Sequence, residues 1–185
     1  MISTRRKIVV IADQLIRSRG YNAFSYSDIA NRLNLKNAAI HYHYPSKAAL
    51  GKAVIIESRE KFLEQTKLWK DASHKEQVRL FLDIYQNNRK NGGICFMGAF
   101  GASYATLPEE MRTELKVAHT EIINWLSKTL EAGKDEKAIT FDTSAAEMAD
   151  LITASMMSSL ILERISSRDM TSEIARNLIK GLEEK

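Results

Sequence analysis

Cysteine occurs once in this chain, at Cys95, and proline twice, at Pro45 and Pro108. A single thiol excludes an intrachain disulfide framework and fits a reducing compartment. With so little proline, eight glycines and no sustained β-branched alternation, a strand-rich fold has no support, and the pattern is that of an all-α protein. Hydrophobic runs are short as well. Near the start the longest is Ile8–Ala12, followed at once by Asp13, which is too brief for a signal peptide or a membrane anchor. Internal repeats, nucleophile elbows, phosphate loops and suggestive carboxylate pairs are all missing, so an enzyme is not expected. The expectation is a soluble, cytoplasmic helical protein with no cofactor and no membrane partner.

What the chain does have is an uneven charge. The net charge is +4, but residues 1–50 hold eight basic side chains against only Asp13 and Asp28, a local +6. The remaining 135 residues hold 19 basic and 21 acidic groups. A basic segment is often no more than a solvated face. Here the excess coincides with residues 25–47, SYSDIANRLNLKNAAIHYHYPSK, which read as two short helices crossing at a tight turn.

In that stretch Ser25 and Asp28 form a capping-box pattern at the entry of the first helix. Ile29, Ala30 and Leu33 give it one apolar face, and Ala30 is small enough for a second helix to cross close by. Asn34 tolerates the left-handed backbone that a sharp turn requires, and Leu35 can plug the junction. The second helix, about Asn37–Tyr44, offers Ile40 inward and Asn37, His41, Tyr42 and His43 outward. This is a helix-turn-helix, whose second helix enters the major groove of DNA.

These residues resemble the amino-terminal DNA-binding domain of the TetR/AcrR family of bacterial regulators. The matching pieces are Ser25, Ile29-Ala30, Asn34-Leu35-Lys36, Tyr42 and Tyr44-Pro45-Ser46-Lys47, preceded by a basic amphipathic helix ending in Arg19-Gly20-Tyr21 and then Phe24. Two positions depart from the family pattern: Asn34 stands where Gly is usual and Lys36 where a capping Ser is usual, which leaves the recognition helix less firmly capped. The motif covers roughly the first 50 residues. Beyond it, the likeness rests on length and helical pattern.

Groups for DNA contact can be assigned individually. Base reading is expected from Lys36, Asn37, Ala38 and Tyr42. Backbone positioning is expected from His43, from Ser25, Tyr26 and Ser27 at the positive end of the first helix of the motif, and from Lys47 at the start of the next. His41 is able either to face DNA or to pack inward. His41 and His43 lie two apart on a helix, diverge, and have no cysteine or carboxylate pair beside them, so no metal site is expected.

Capping and periodicity continue the helical reading: Thr4–Ser18, a long helix from Lys47 to about Lys70, His74–Asn91, Cys95–Thr106, one entered at Pro108 and reaching Ala132, Ala145–Ser166, and Ser172–Glu184 capped by Thr171. The count is nine, three in a DNA-binding domain over residues 1–46 and six in a ligand-binding and dimerisation domain over residues 47–185. The second part carries soft and aromatic side chains that suit an adaptable apolar pocket: Phe62, Trp69, Met97, Phe100, Tyr104, Trp125, Met148 and Met156. Each of these is equally at home in an ordinary core. The family resemblance implies an inducer pocket there, between the long helix and those that follow.

Cys95 opens a helix after Gly92-Gly93 and is either a small buried hydrophobe or a redox and electrophile sensor, since the surrounding string is similar to a sensing segment of TetR-type repressors. Together these readings describe a homodimeric repressor of a pseudo-palindromic operator, released by a small apolar or electrophilic effector. The dimer is expected to form a four-helix bundle from the last two helices of each subunit. Ala145, Ala146, Ala149, Ala154, Ser155, Ser158 and Ser159 would allow close approach, with Leu151, Ile152, Leu160, Ile174, Leu178 and Leu182 supplying apolar area. Two alternatives stand beside it: a sensor acting through Cys95 without a reversible ligand, and a helical adaptor that does not bind DNA.

Overall fold

The computed structural model describes residues 3–183. Among them there are nine α-helices and no strand: α1 Thr4–Arg19, α2 Tyr26–Leu33, α3 Asn37–His43, α4 Lys47–Trp69, α5 His74–Lys90, α6 Phe96–Gly101, α7 Glu109–Asp135, α8 Ala145–Ser166 and α9 Met170–Gly181. Short 3-10 turns at Tyr21–Ala23 and Tyr104–Thr106 follow α1 and α6.

The chain forms two compact units. The first comprises the described residues through Lys61 together with Phe96–Ala118, and the second comprises Phe62–Cys95 with the described residues from His119 onward. The first unit therefore extends past residue 46, takes in much of α4, and recruits α6 and the start of α7. Its core gathers Ile8, Leu15 and Ile16 of α1, Ile29 of α2, Ile40 of α3, Leu50 and Ile55 of α4, and Phe100 and Met111 from the later segment. Gly51 is required on α4: a Cβ there would stand 2.5 Å from the Met111 Cε and 2.8 Å from a Tyr21 ring carbon.

The second unit is built on Phe81, Leu82 and Tyr85 of α5, Leu126 and Leu130 of α7, Ile152 and Met156 of α8, and Ala175 of α9. Arg89 at the end of α5 pairs with Glu163 of α8 and reaches Asp169, ahead of α9, at 3.4 Å.

Two expectations about helix ends need correction. The stretch Cys95–Thr106 is not one helix: Gly98 and Gly101 weaken it, so α6 closes after six residues and a separate 3-10 turn follows. The last helix starts at Met170, because Asp169 rather than Thr171 accepts from the Ser172 N–H at 3.1 Å. Thr171 is buried, and both its N–H and its hydroxyl donate to Glu163.

The face of α8 also differs in part from the one expected. Ala149, Ile152, Ser159 and Leu160 are buried within the subunit, as is Leu182 beyond α9, so none of them is available to a second copy. The large apolar side chains left exposed on α8 are Leu151, Ile161, Leu162 and Ile165, the last at 79%.

Candidate nucleic-acid interface

The first compact unit presents α3 on a turn whose geometry is locally determined. Asn34 adopts φ 53°, ψ 47°, the left-handed conformation, and the Leu35 N–H returns to the Ala30 carbonyl at 2.9 Å. At the other end of α2, Asp28 accepts from both the N–H and the hydroxyl of Ser25, each at 2.7 Å, with Arg19 at 3.3 Å. The Ser25 hydroxyl, then its N–H and the Arg19 charge, hold the Asp28 carboxyl below its ordinary value. Lys36 occupies the cap position ahead of α3, and its side chain makes no capping bond, in keeping with the missing Ser.

Ile40 is fully buried and anchors α3, which turns the opposite face outward. Lys36, Asn37, Ala38, His41 and Tyr42 are exposed, with Tyr42 at 84%, and His43 is half-buried with its ring 5.2 Å from that of Tyr42. Asn37 donates to the Ser27 hydroxyl at 3.1 Å, so the starts of α2 and α3 present one continuous polar edge that includes Ser25 and Ser27. His41 is exposed while its ring leans on Tyr26 at 4.6 Å.

The structure does not place two of the nominated residues on this face. Tyr26 is buried, and its hydroxyl donates to the Tyr44 carbonyl at 2.8 Å. Burial, with smaller contributions from Tyr21 and Tyr44, pushes its pKa up to about 12. The Lys47 ammonium turns inward, donating to the Phe24 carbonyl at 2.6 Å and the Asn22 carbonyl at 3.4 Å, over the rings of Phe24 and Tyr21. Burial lowers its pKa, against the opposing pull of Asp28. One residue not nominated lies beside the face: Arg5 stacks over the Tyr44 ring at 5.3 Å, and its place in the basic run Arg5-Arg6-Lys7 was the available signal.

The nominated ligand residues fall into two groups. In the second unit Phe62 meets Trp69 and Trp125 edge to face, the Phe62–Trp125 centroids 5.4 Å apart, and Trp69 and Trp125 lie tilted against each other at 5.7 Å. Phe81 and Tyr85, spaced four apart on α5, complete this cluster and were not nominated. Met156 is buried in the same unit and Met148 is half-buried. Met97, Phe100 and Tyr104 belong to the first unit, where Phe100 packs against Tyr21 at 5.7 Å. Cys95 is buried in the second unit, close enough to Tyr85 to help raise a phenol already pushed well up by burial.

Residues 8–54 match the family model described as bacterial regulatory proteins of the tetR family, and residues 75–179 match the tetracyclin repressor-like C-terminal domain. The chain belongs to the TetR family. A TetR transcriptional regulator from Legionella pneumophila is 31% identical, covers 97% of each chain and superposes with a TM-score of 0.87. A TetR-family regulator from Agrobacterium tumefaciens is 24% identical over 96% of each chain, with a TM-score of 0.88. The HTH-type transcriptional repressor NemR of Escherichia coli K12 is 22% identical, over 88% of this chain and 85% of its own. As a TetR-family protein the chain is a DNA-binding transcriptional regulator and not an enzyme.

Proposed function

We propose that the chain is a homodimeric repressor whose α3 helices enter successive major grooves of a pseudo-palindromic operator, about 34–36 Å apart. The observation that carries this is the outward face of α3, where Lys36, Asn37, Ala38, His41 and Tyr42 stand free of the core around the Ile40 anchor. The adaptor reading is the weaker one, because that face comes with the basic excess of residues 1–50.

The exposed Leu151, Ile161, Leu162 and Ile165 of α8 support a dimer seam, with Ala154 and Ser158 on the same outward side. Helix α8 is also long and apolar enough to cross a membrane by length and composition. We assign that apolarity to the seam and place the protein in the cytoplasm with its DNA.

The Phe62–Trp69–Phe81–Trp125 cluster supports a small apolar effector that favours the released state. Among structures of the same fold, one regulator from Saccharomonospora viridis was solved with choline and another, AibR, with isovaleryl coenzyme A and operator DNA. A response through Cys95 is the second reading. Its burial limits access to reagents, and Cys95→Ser separates the two by removing an oxidant response while sparing a ligand response.

Selection of duplexes from a random-sequence library, followed by footprinting, tests the proposal. The expected result is a two-fold symmetric site with two protected half-sites. A protein that enriches no sequence, or protects a single half-site, is not the repressor described.

A further inference from the structure

Lys47 stands at the start of α4, where a helix terminus favours a phosphate, yet its ammonium is engaged elsewhere. The chain between α1 and α2 makes a 3-10 turn, Tyr21–Ala23, after Gly20 at φ 92°. The carbonyls of Asn22 and Phe24 at the end of that turn need donors, and Lys47 supplies both from a neighbouring helix. Two aromatic rings flank the charge, Phe24 at 4.4 Å and Tyr21 at 5.0 Å from Nζ. The first turn of α4 does not need Lys47 for its own capping, because Ser46 accepts from the Ala49 N–H at 3.0 Å.

The gripped segment is also where the later part of the first unit docks. Tyr21 packs on Phe100 of α6, and Asn22 donates to Thr106 at 3.0 Å. We propose that Lys47 is a positioning residue for operator binding: its ammonium latches the first turn of α4 to the segment between α1 and α2, and it is not a phosphate ligand. The latch fixes the angle at which α4 carries the helix-turn-helix. A displacement of α4 or α6 reaches α2 and α3 through residues 21–24.

A salt series distinguishes the two roles. Affinity is measured for wild type and Lys47→Met on the duplex that wild type selects from a random-sequence library, at a temperature where circular dichroism shows both fully folded. A latch predicts an affinity loss of about tenfold or more with the logarithmic salt slope unchanged. A phosphate ligand predicts a slope smaller by about 1. Phe24→Leu, which removes the nearer ring and leaves every charge in place, should weaken the same duplex without changing the slope. It also decides the matter if Lys47→Met does not fold. A reduced slope in Lys47→Met, or undiminished affinity in a folded Lys47→Met or Phe24→Leu, overturns the proposal.

Discussion

Tyr26, the first residue of α2, donates its hydroxyl to the carbonyl of Tyr44, the residue that closes α3. The bond is buried and joins two helices whose relative pose determines what DNA meets. Tyr26→Phe leaves that carbonyl without its donor, and the expected cost is about 1–3 kcal/mol. Urea unfolding of the two proteins measures it, and equal midpoints would remove the bond from any account of the fold.

Tyr42 presents the opposite case, a large ring left 84% exposed. Tyr42→Ala should leave the melting temperature unchanged and weaken the selected duplex by about 1–3 kcal/mol. Undiminished binding by a folded variant places Tyr42 outside the interface.

Gly51 has no room for a methyl group, with Met111 and Tyr21 inside 3 Å of the position. The Met111 end can move, but the Tyr21 ring is held by Phe100 and Lys47. Gly51→Ala should therefore destabilise by about 1–3 kcal/mol despite alanine's higher helix propensity. A gain in stability by calorimetry contradicts the packing described.

Leu162→Asp puts a charge in the proposed α8 seam at a position 45% exposed in the single chain. Sedimentation should then find monomers of unchanged helicity with little operator affinity. A dimer that survives the substitution places its interface elsewhere.

Acid sensitivity follows from the two capping boxes. Asp28 is held down by the Ser25 hydroxyl and N–H, and Glu147 by the hydroxyl and N–H of Ser144. Each folded-state pKa lies below its unfolded value, so the stabilisation is present above the ordinary 3.8 and 4.5 and is lost as pH falls through the folded values. Ser144→Ala should move the acid-unfolding midpoint of α8 to higher pH, as read by far-UV circular dichroism. An unmoved midpoint denies the box a role in the acid limb.

The features legible from sequence were those decided within a few residues. Ser25 and Asp28 stand three apart and form their capping bonds, and Asn34 takes the left-handed conformation that its turn demands. The apolar spacing that marked Ile8, Leu15 and Ile40 is a periodic signal, and all three are buried. Lys47 could not be read this way, because its partner Phe24 lies 23 positions away and a helix start offers a lysine either direction. The aromatic residues were divided between two compact units by packing that composition does not encode: Phe100 and Trp125 look alike in the sequence and belong to different cores. Thr171 was expected as the cap of the last helix and Asp169 takes that place, because Glu163 accepts both polar hydrogens of Thr171.

The recruitment of Phe96–Ala118 into the first unit bears on how such a regulator can be rebuilt. Residues ahead of α4 are not a detachable reading head. Phe100 and Met111 are wholly enclosed there, and Tyr21 relies on Phe100 for one of its walls. A chimera spliced between α3 and α4 would bring foreign residues against Tyr21 and Phe24 and abandon that wall. A graft that keeps the surface intact must transplant two discontinuous pieces, the chain through Lys61 and the stretch from Phe96 to Ala118, and join the new effector body at three seams.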